Sequence, residues 1–383
     1  MPDHPRAARD GGRPGCPVRR GPDGSWQVSS YEDVRAVLRS TETRQAGFGI
    51  EHADTLPKKM KPPVLWRDGL EHREHRRRTA RFFTERRVET HYRSLMQRSV
   101  DVQLARLREK GSADLARLSF AAAVAVVGEV IGLAGRPGMA RRLERFFTDP
   151  RPGGGRVRAG LVRANSLLSL GSFYLLDVRP AIRARRRDPH DDLVTHLVQE
   201  GATHGDVFGE CMTFAAAGMI TTREFVTLAA WYLFRDEALR ARWSAADRAG
   251  REAILHELLR LEPVVSALHR TAAAEVTLPD GTTIPAGDRV DALLVSANLD
   301  PAVVGAAPEQ VCPGRELPST AGLAFGDGPH KCPGSHVAIQ ESEIFLSALF
   351  ELPGVRMSRA PDVRFRAEIE AYELSGLIVS VDR

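Results

Sequence analysis

Lysine is scarce in this chain of 383 residues. Only five of its 54 basic side chains are lysines, and three of those crowd into Lys58, Lys59 and Lys61. An arginine bias of that size points to a GC-rich bacterial genome. Cysteine is scarce too. Cys16, Cys211, Cys312 and Cys332 lie far apart and form no CxxC pair, which excludes a disulfide scaffold and a zinc finger and suits a reducing compartment. Aromatic residues make up 6% and no nucleic-acid reader motif occurs, so a basic helical nucleic-acid binder is a weak alternative. A net charge of +5 is too mild to demand such a partner. The longest apolar stretch, Phe120 to Ala134, is interrupted by Glu129 and falls short of the ~20 residues a membrane span needs. The opening residues MPDHPRAARDGGRPG hold no apolar core, so no signal peptide is read there. The expectation is a cytoplasmic protein with no membrane span.

What is present is ordinary globular composition, 43% apolar and 27% charged, in a chain long enough to enclose a cofactor. Residues 1–24 are rich in Pro, Gly and Arg and read as an irregular segment, leaving 25–383 as one domain. Trp26 to Val28 suits a short strand and Tyr31 to Leu38 a helix. Residues 40–67 read as a long loop. Helical spacing follows at about 71–108, 114–134, 138–148, 158–187 and 190–200. The longest helical candidate is Asp206 to Phe234. It carries no charge from Cys211 to Thr222, so it belongs in the interior. Arg251 to Leu261 forms a charged helix. Short strand-like pieces come near 274–278, 289–295 and 363–381. The fold class is mainly α with a small β-rich region.

The sharpest local signal is Phe325-Gly326-Asp327-Gly328-Pro329-His330-Lys331-Cys332-Pro333-Gly334. Two glycines let backbone N–H groups turn inward, and a cysteine so placed can be held as thiolate by a metal. The apolar run from Val337 implies a helix leaving the cysteine, its N-terminus adding positive potential near the sulfur. No zinc helix competes, since His72-Arg73-Glu74-His75 is one residue short of HxxEH spacing.

The cysteine segment resembles the heme loop of the cytochrome P450 superfamily in the form FGxGxHxCxG. Three further matches occur in the family's order: Glu257-Leu258-Leu259-Arg260, Ala217 to Thr222, and Asp68 to Arg76. The resemblance runs from about residue 25 to the C-terminus. It implies the P450 fold, with a long central helix over heme b (iron protoporphyrin IX), and Cys332 as the proximal iron ligand. Phe325 and Gly334 would flank the heme. His72, Arg76, Arg270 and His330 would bind its propionates. Glu257 and Arg260 would form a structural ion pair closed by Arg315, and Thr221 would order the catalytic water. Pocket-lining roles would fall to the loop at 48–67, Gly218, Ile220, Val265, Ser266, Leu268 and Tyr372.

Three departures from the family pattern carry expectations. Ile220 stands where the family usually places an acid before the threonine, so proton delivery would use Thr221 with water, or a polar group on the substrate; Glu224 is a possible substitute. Pro333 lacks the N–H that would donate to the sulfur, so the iron should be harder to reduce. The segment 1–20 is too polar to supply the usual first amphipathic helix. The resemblance further implies a ferredoxin or flavodoxin with its reductase as electron donor, for which Arg73, Arg77 and Arg81 offer a basic stripe. The substrate would be a small molecule or peptide, with Lys58, Lys59 and Lys61 able to clamp a carboxylate. Hydroxylation or oxidative coupling in secondary metabolism is the expected reaction. A peroxide-dependent oxidase and a heme-binding protein without turnover are the alternatives. Peroxide-using relatives carry Arg and Pro near the position of Ile220.

Overall fold

The computed structural model describes residues 16–55, 60–133, 136, 138–147, 165, 168–366 and 369–382. Helices make up most of it, and short strands gather into small sheets. Val18–Arg20 (β1) pairs antiparallel with Trp26–Val28 (β2), so residues 18–20 are not irregular as the sequence suggested. The segment expected to lack a first helix lies largely outside the described residues.

Tyr31–Arg39 (α1) starts where the Ser30 hydroxyl accepts the Asp33 N–H, and it buries Tyr31, Val34, Val37 and Leu38. Thr43–Ala46 (β3) is a strand inside the stretch read as a loop. The remaining strands of its sheet are Ala267–Ala272 and Arg289–Leu293, and Ser112–Asp114 (β4) joins a different sheet. With the first two labelled β5 and β6, the five-stranded order is β1-β2-β6-β5-β3. β5 carries His269, Arg270 and Thr271 and shows no apolar alternation, which hid it from the sequence.

The helical spacing over 71–108 breaks in the middle. Gly69–Thr79 (α2) ends, the Thr84 hydroxyl accepts the Arg87 N–H to start another turn, and Arg93–Lys110 (α3) runs on to Gly111. Leu115–Ile131 (α4) is almost wholly buried. Arg179–Arg187 (α5) precedes the long central helix. That helix is His204–Ala215 (α6), a π-turn at Ala216–Ile220, and Thr221–Arg235 (α7). A Thr203–Asp206 capping box fixes its start. It packs against α4 and against Ser335–Phe350, the helix leaving Cys332. Each fully buried Leu or Val in this interior contributes ~1.5–3 kcal/mol. Among the described residues no helix is long and apolar enough to cross a membrane.

Candidate active site

The cysteine loop is shaped by its glycines. Gly328 has φ +66, and a Cβ there would lie 2.5 Å from the Leu38 carbonyl oxygen. Asp327 between the glycines accepts from Arg39 at 2.8 Å, from Arg35 at 3.1 Å and from the Gly328 N–H at 2.7 Å. The loop is thereby tied to α1. The Cys332 N–H donates to the Phe325 carbonyl at 2.8 Å. Burial pushes the Cys332 thiol up, opposed by the Gly334 N–H, Arg76 and Lys331. The Gly334 N–H thus favours the thiolate from the far side of Pro333.

Behind the loop lies a buried brace. Arg260 is fully buried and donates to Glu257 at 2.7 and 3.0 Å. Its remaining donors reach the carbonyls of Asn298, Pro308 and Gln310. Arg315 approaches Glu257 at 3.4 Å and donates to the carbonyls of Val304, Ala306 and Ala307. Glu257, Arg260 and Arg315 thus come together as the sequence suggested. Asn298, which no sequence signal marks, donates to the Arg260 carbonyl and accepts the Leu323 N–H at 2.7 Å, coupling the brace to the cysteine loop.

A second cluster gathers beside Cys332. His72 and His330 stack with ring centroids 4.0 Å apart. Arg76 donates to the Lys331 carbonyl. Asp68 accepts from the Gln45 N–H and pairs with His330 at 2.9 Å. Burial pushes the Asp68 carboxyl up, but those bonds and the Arg270 charge outweigh it and hold it below its ordinary value. Arg270 is 2% exposed, and its hydrogen bond goes to the His269 carbonyl beside it. In the central helix, the Thr221 hydroxyl donates to the Ala217 carbonyl across the π-turn, leaving Ala217 exposed. Single π-turns inside α-helices frequently mark functional sites.

A family model described as cytochrome P450 matches residues 251–359. The mycinamicin VIII C21 methyl hydroxylase of Micromonospora griseorubida is 30% identical over 375 residues, covering 93% of this chain and 91% of its own. This chain belongs to the cytochrome P450 family. The P450 monooxygenase PikC of Streptomyces venezuelae is 30% identical, covering 90% of this chain and 80% of its own. Among solved structures, wild-type CYP105P1 with 4-phenylimidazole is similar at a TM-score of 0.79 and 28% identity, covering 96% of this chain and 94% of that one.

P450s are heme-thiolate monooxygenases, and bound heme b supplies the activation of dioxygen. The residues present fit that group. Among the described residues the buried His72 Nδ1 has no hydrogen-bond partner. Burial draws the His72 imidazole down to about 4 and the Arg270 guanidinium down to about 10. Arg270, His72 and His330 face one carboxylate, Asp68, and Arg76 lies toward Cys332. This excess of buried donors suits the two propionates of a porphyrin. The recessed Cys332 suits the iron, because a coordinated thiol is deprotonated outright. Among the described residues no group of three His, Cys, Asp or Glu side chains could hold a metal in its place.

The distal side differs from expectation at several points in this P450. Glu224 is not available as a relay. It is 1% exposed, paired with Arg223, and accepts the Leu374 N–H at 2.7 Å. Burial pushes its carboxyl up against those partners. Tyr372 is a core residue rather than a pocket wall. It is 2% exposed, and its hydroxyl donates to the Glu262 carbonyl. The Ser266 hydroxyl likewise donates to the Glu370 carbonyl at 2.9 Å. Gly218 serves packing, since a Cβ there would meet Val127 at 3.0 Å. Val265 forms a bridge with Ala371, while Leu268 and Ile220 remain partly exposed. Leu268 lies against the cysteine loop, 3.4 Å from where a Cβ on Gly326 would sit.

The loop ahead of α2 is latched to the central helix. Asp206 accepts the Lys61 N–H at 2.6 Å, and Glu210, one turn on, accepts the Val64 N–H at 3.0 Å. Arg67 closes on Glu210 at 3.2 Å and His75 lies 3.7 Å from it. Lys58 and Lys59 lie outside the described residues. α2 carries Arg73 and Arg77 exposed, and among the described residues they make no ion pair. Arg81 lies beyond its end, 3.8 Å from Asp191, so the basic stripe is shorter than the sequence suggested.

Proposed function

We propose that Cys332 is the proximal heme ligand and that the chain hydroxylates a small, mainly apolar organic molecule of secondary metabolism. The observation that carries this reading is Cys332, fixed by its N–H to the Phe325 carbonyl in a glycine-shaped loop beside the cluster of His72, His330, Arg76 and Arg270. His72, Arg76, Arg270 and His330 would hold the propionates, and Phe325 would pack beside the porphyrin. Glu257, Arg260 and Arg315 keep the loop in place from behind. The mycinamicin hydroxylase among the relatives supports the reaction type.

Thr221 is the hydroxyl available on the central helix at the π-turn, and it would orient a proton-donating water. With Ile220 beside it and Glu224 engaged elsewhere, the proton arrives through water or a substrate hydroxyl. Ile220 and Leu268 line the substrate side. Electrons come from a ferredoxin or flavodoxin, whose acidic surface matches the unpaired Arg73 and Arg77. The test compares ferredoxin–reductase turnover under labelled dioxygen with turnover on hydrogen peroxide alone. One labelled oxygen in the product only in the first case is the expected result. Efficient peroxide turnover with no gain from ferredoxin would favour a peroxygenase.

A further inference from the structure

Among the described residues, the exposed large apolar side chains are Leu70, Val102, Leu168, Leu175 and Leu176. The last three belong to one helical stretch. It runs through a π-turn at Tyr174–Val178 and continues as α5, Arg179–Arg187. Leu168, Leu175 and Leu176 are 73%, 52% and 56% exposed. The π-turn inserts an extra residue, so two adjacent leucines share the outward face. Arg179, Arg183 and Arg186 continue that face at helical spacing.

The inward face is fully used. Phe173 and Tyr174 pack on Phe208 of the central helix, and the Tyr174 hydroxyl lies 3.1 Å from His204. Asp177 is fully buried against Arg142. Ala181 and Ile182 are buried, and Arg185 is bound to Asp192. No such partner exists outside. Arg179, Arg183, Arg186 and Arg187 make no ion pair among the described residues. Arg186, Arg179 and Arg183 all act on His204, adding to burial in holding its imidazole below the ordinary value, so their charges converge on one place.

We propose that this face docks an acidic protein helix. Its carboxylates would pair with Arg179, Arg183, Arg186 and Arg187, and its apolar side chains would cover Leu168, Leu175 and Leu176. The guanidinium fork matches carboxylates bidentately. The stretch is about 30 Å long, the length of one ~20-residue helix. A second copy of the chain would set four cations against four cations. A bilayer surface is served by aromatic anchors, and here Phe173 and Tyr174 turn inward. The surface lies over the start of the central helix, on a different helix from the Arg73 and Arg77 assigned to the electron donor. It stands whether or not the heme chemistry proposed above is right.

The test uses the purified heme-loaded protein and a fluorescent amphipathic peptide with glutamates along one helical face and leucines beside them. Binding is followed by anisotropy. Wild type should bind it, with affinity falling as salt rises. Arg183→Glu with Arg186→Glu should weaken it about tenfold or more, and Leu175→Ser with Leu176→Ser should weaken it severalfold. Arg73→Glu with Arg77→Glu should leave it unchanged. An unchanged far-UV circular dichroism spectrum and melting temperature in each variant show that the fold is intact. Equal binding of a scrambled peptide of the same composition would overturn the proposal, as would equal binding by the charge-reversed variant. Preferential binding to phosphatidylglycerol vesicles would also overturn it, by making the face a bilayer surface. So would a wild-type dimer abolished by the leucine substitutions.

Discussion

Behind Cys332 the charged groups are committed to partners within the chain, whereas around Ile220 the central helix gives up a regular turn and carries the Thr221 hydroxyl. The proximal side holds Glu257, Arg260, Arg315 and Asn298 in one hydrogen-bonded frame, while Asp327 ties the cysteine loop to α1. The distal side rests on a loop latched to Asp206 and Glu210, with His75 beside them. The difference separates two demands. A sulfur that is to hold a metal would need fixed geometry, while a substrate side needs open surface.

The contrast breaks most visibly if the proximal frame proves dispensable. Arg260→Ala leaves the buried Glu257 carboxylate without its main partner, a loss of about 3–5 kcal/mol. The expected outcome is a large fall in melting temperature and in heme content. Wild-type values would show that the frame is not structural.

The distal latch should carry a pH dependence of its own. Burial, then the Arg67 charge, draws His75 down to about 4, so its neutral form is favoured in the folded chain. The stability from this group is complete above about pH 6.5 and is lost as pH falls toward 4. Burial pushes Glu210 up to about 7, which gives the opposite sign: stability is lost as pH rises from about 4.5 through 7. His75→Gln should flatten the acid limb of the melting temperature against pH, and Glu210→Gln the neutral limb. Unaltered profiles would remove the latch as a pH-sensitive element.

A smaller effect sharpens the proximal side. Pro333→Ala restores an N–H next to Cys332, where Gly334 already donates. A further hydrogen bond worth about 1.4 kcal/mol between the two oxidation states would raise the reduction potential by about 60 mV. An unchanged or lower potential would show that the new N–H does not reach the sulfur. On the distal side, Ile220→Asp should improve the coupling of reductant to product severalfold. No change would mean that Thr221 and water suffice.

What could be read in the sequence follows the same division. The cysteine loop and the ExxR pair were legible because their chemistry depends on residue identity at short spacing. Gly328 must be glycine and Glu257 must face Arg260, and both requirements leave a local trace. Asn298 left none, because an asparagine bonded to two distant backbone groups looks like any loop asparagine. Strand β3 was hidden in a polar segment whose pairing partner lies more than 200 residues away. Tyr372 and Ser266 were read as pocket residues on family position. Whether a hydroxyl turns to substrate or to a nearby carbonyl is decided by tertiary packing. The π-turn at Ala216–Ile220 was also invisible, since its residues suit an ordinary helix.

The most direct measurement is the absorption spectrum of the reduced, carbon monoxide-treated protein, wild type against Cys332→Ala. A thiolate at position 332 predicts a red-shifted Soret band in the wild type. That shift should disappear in the variant, while heme is retained by the His72, Arg76 and Arg270 cluster. The same red-shifted band in both proteins would contradict the assignment of Cys332 as the ligand.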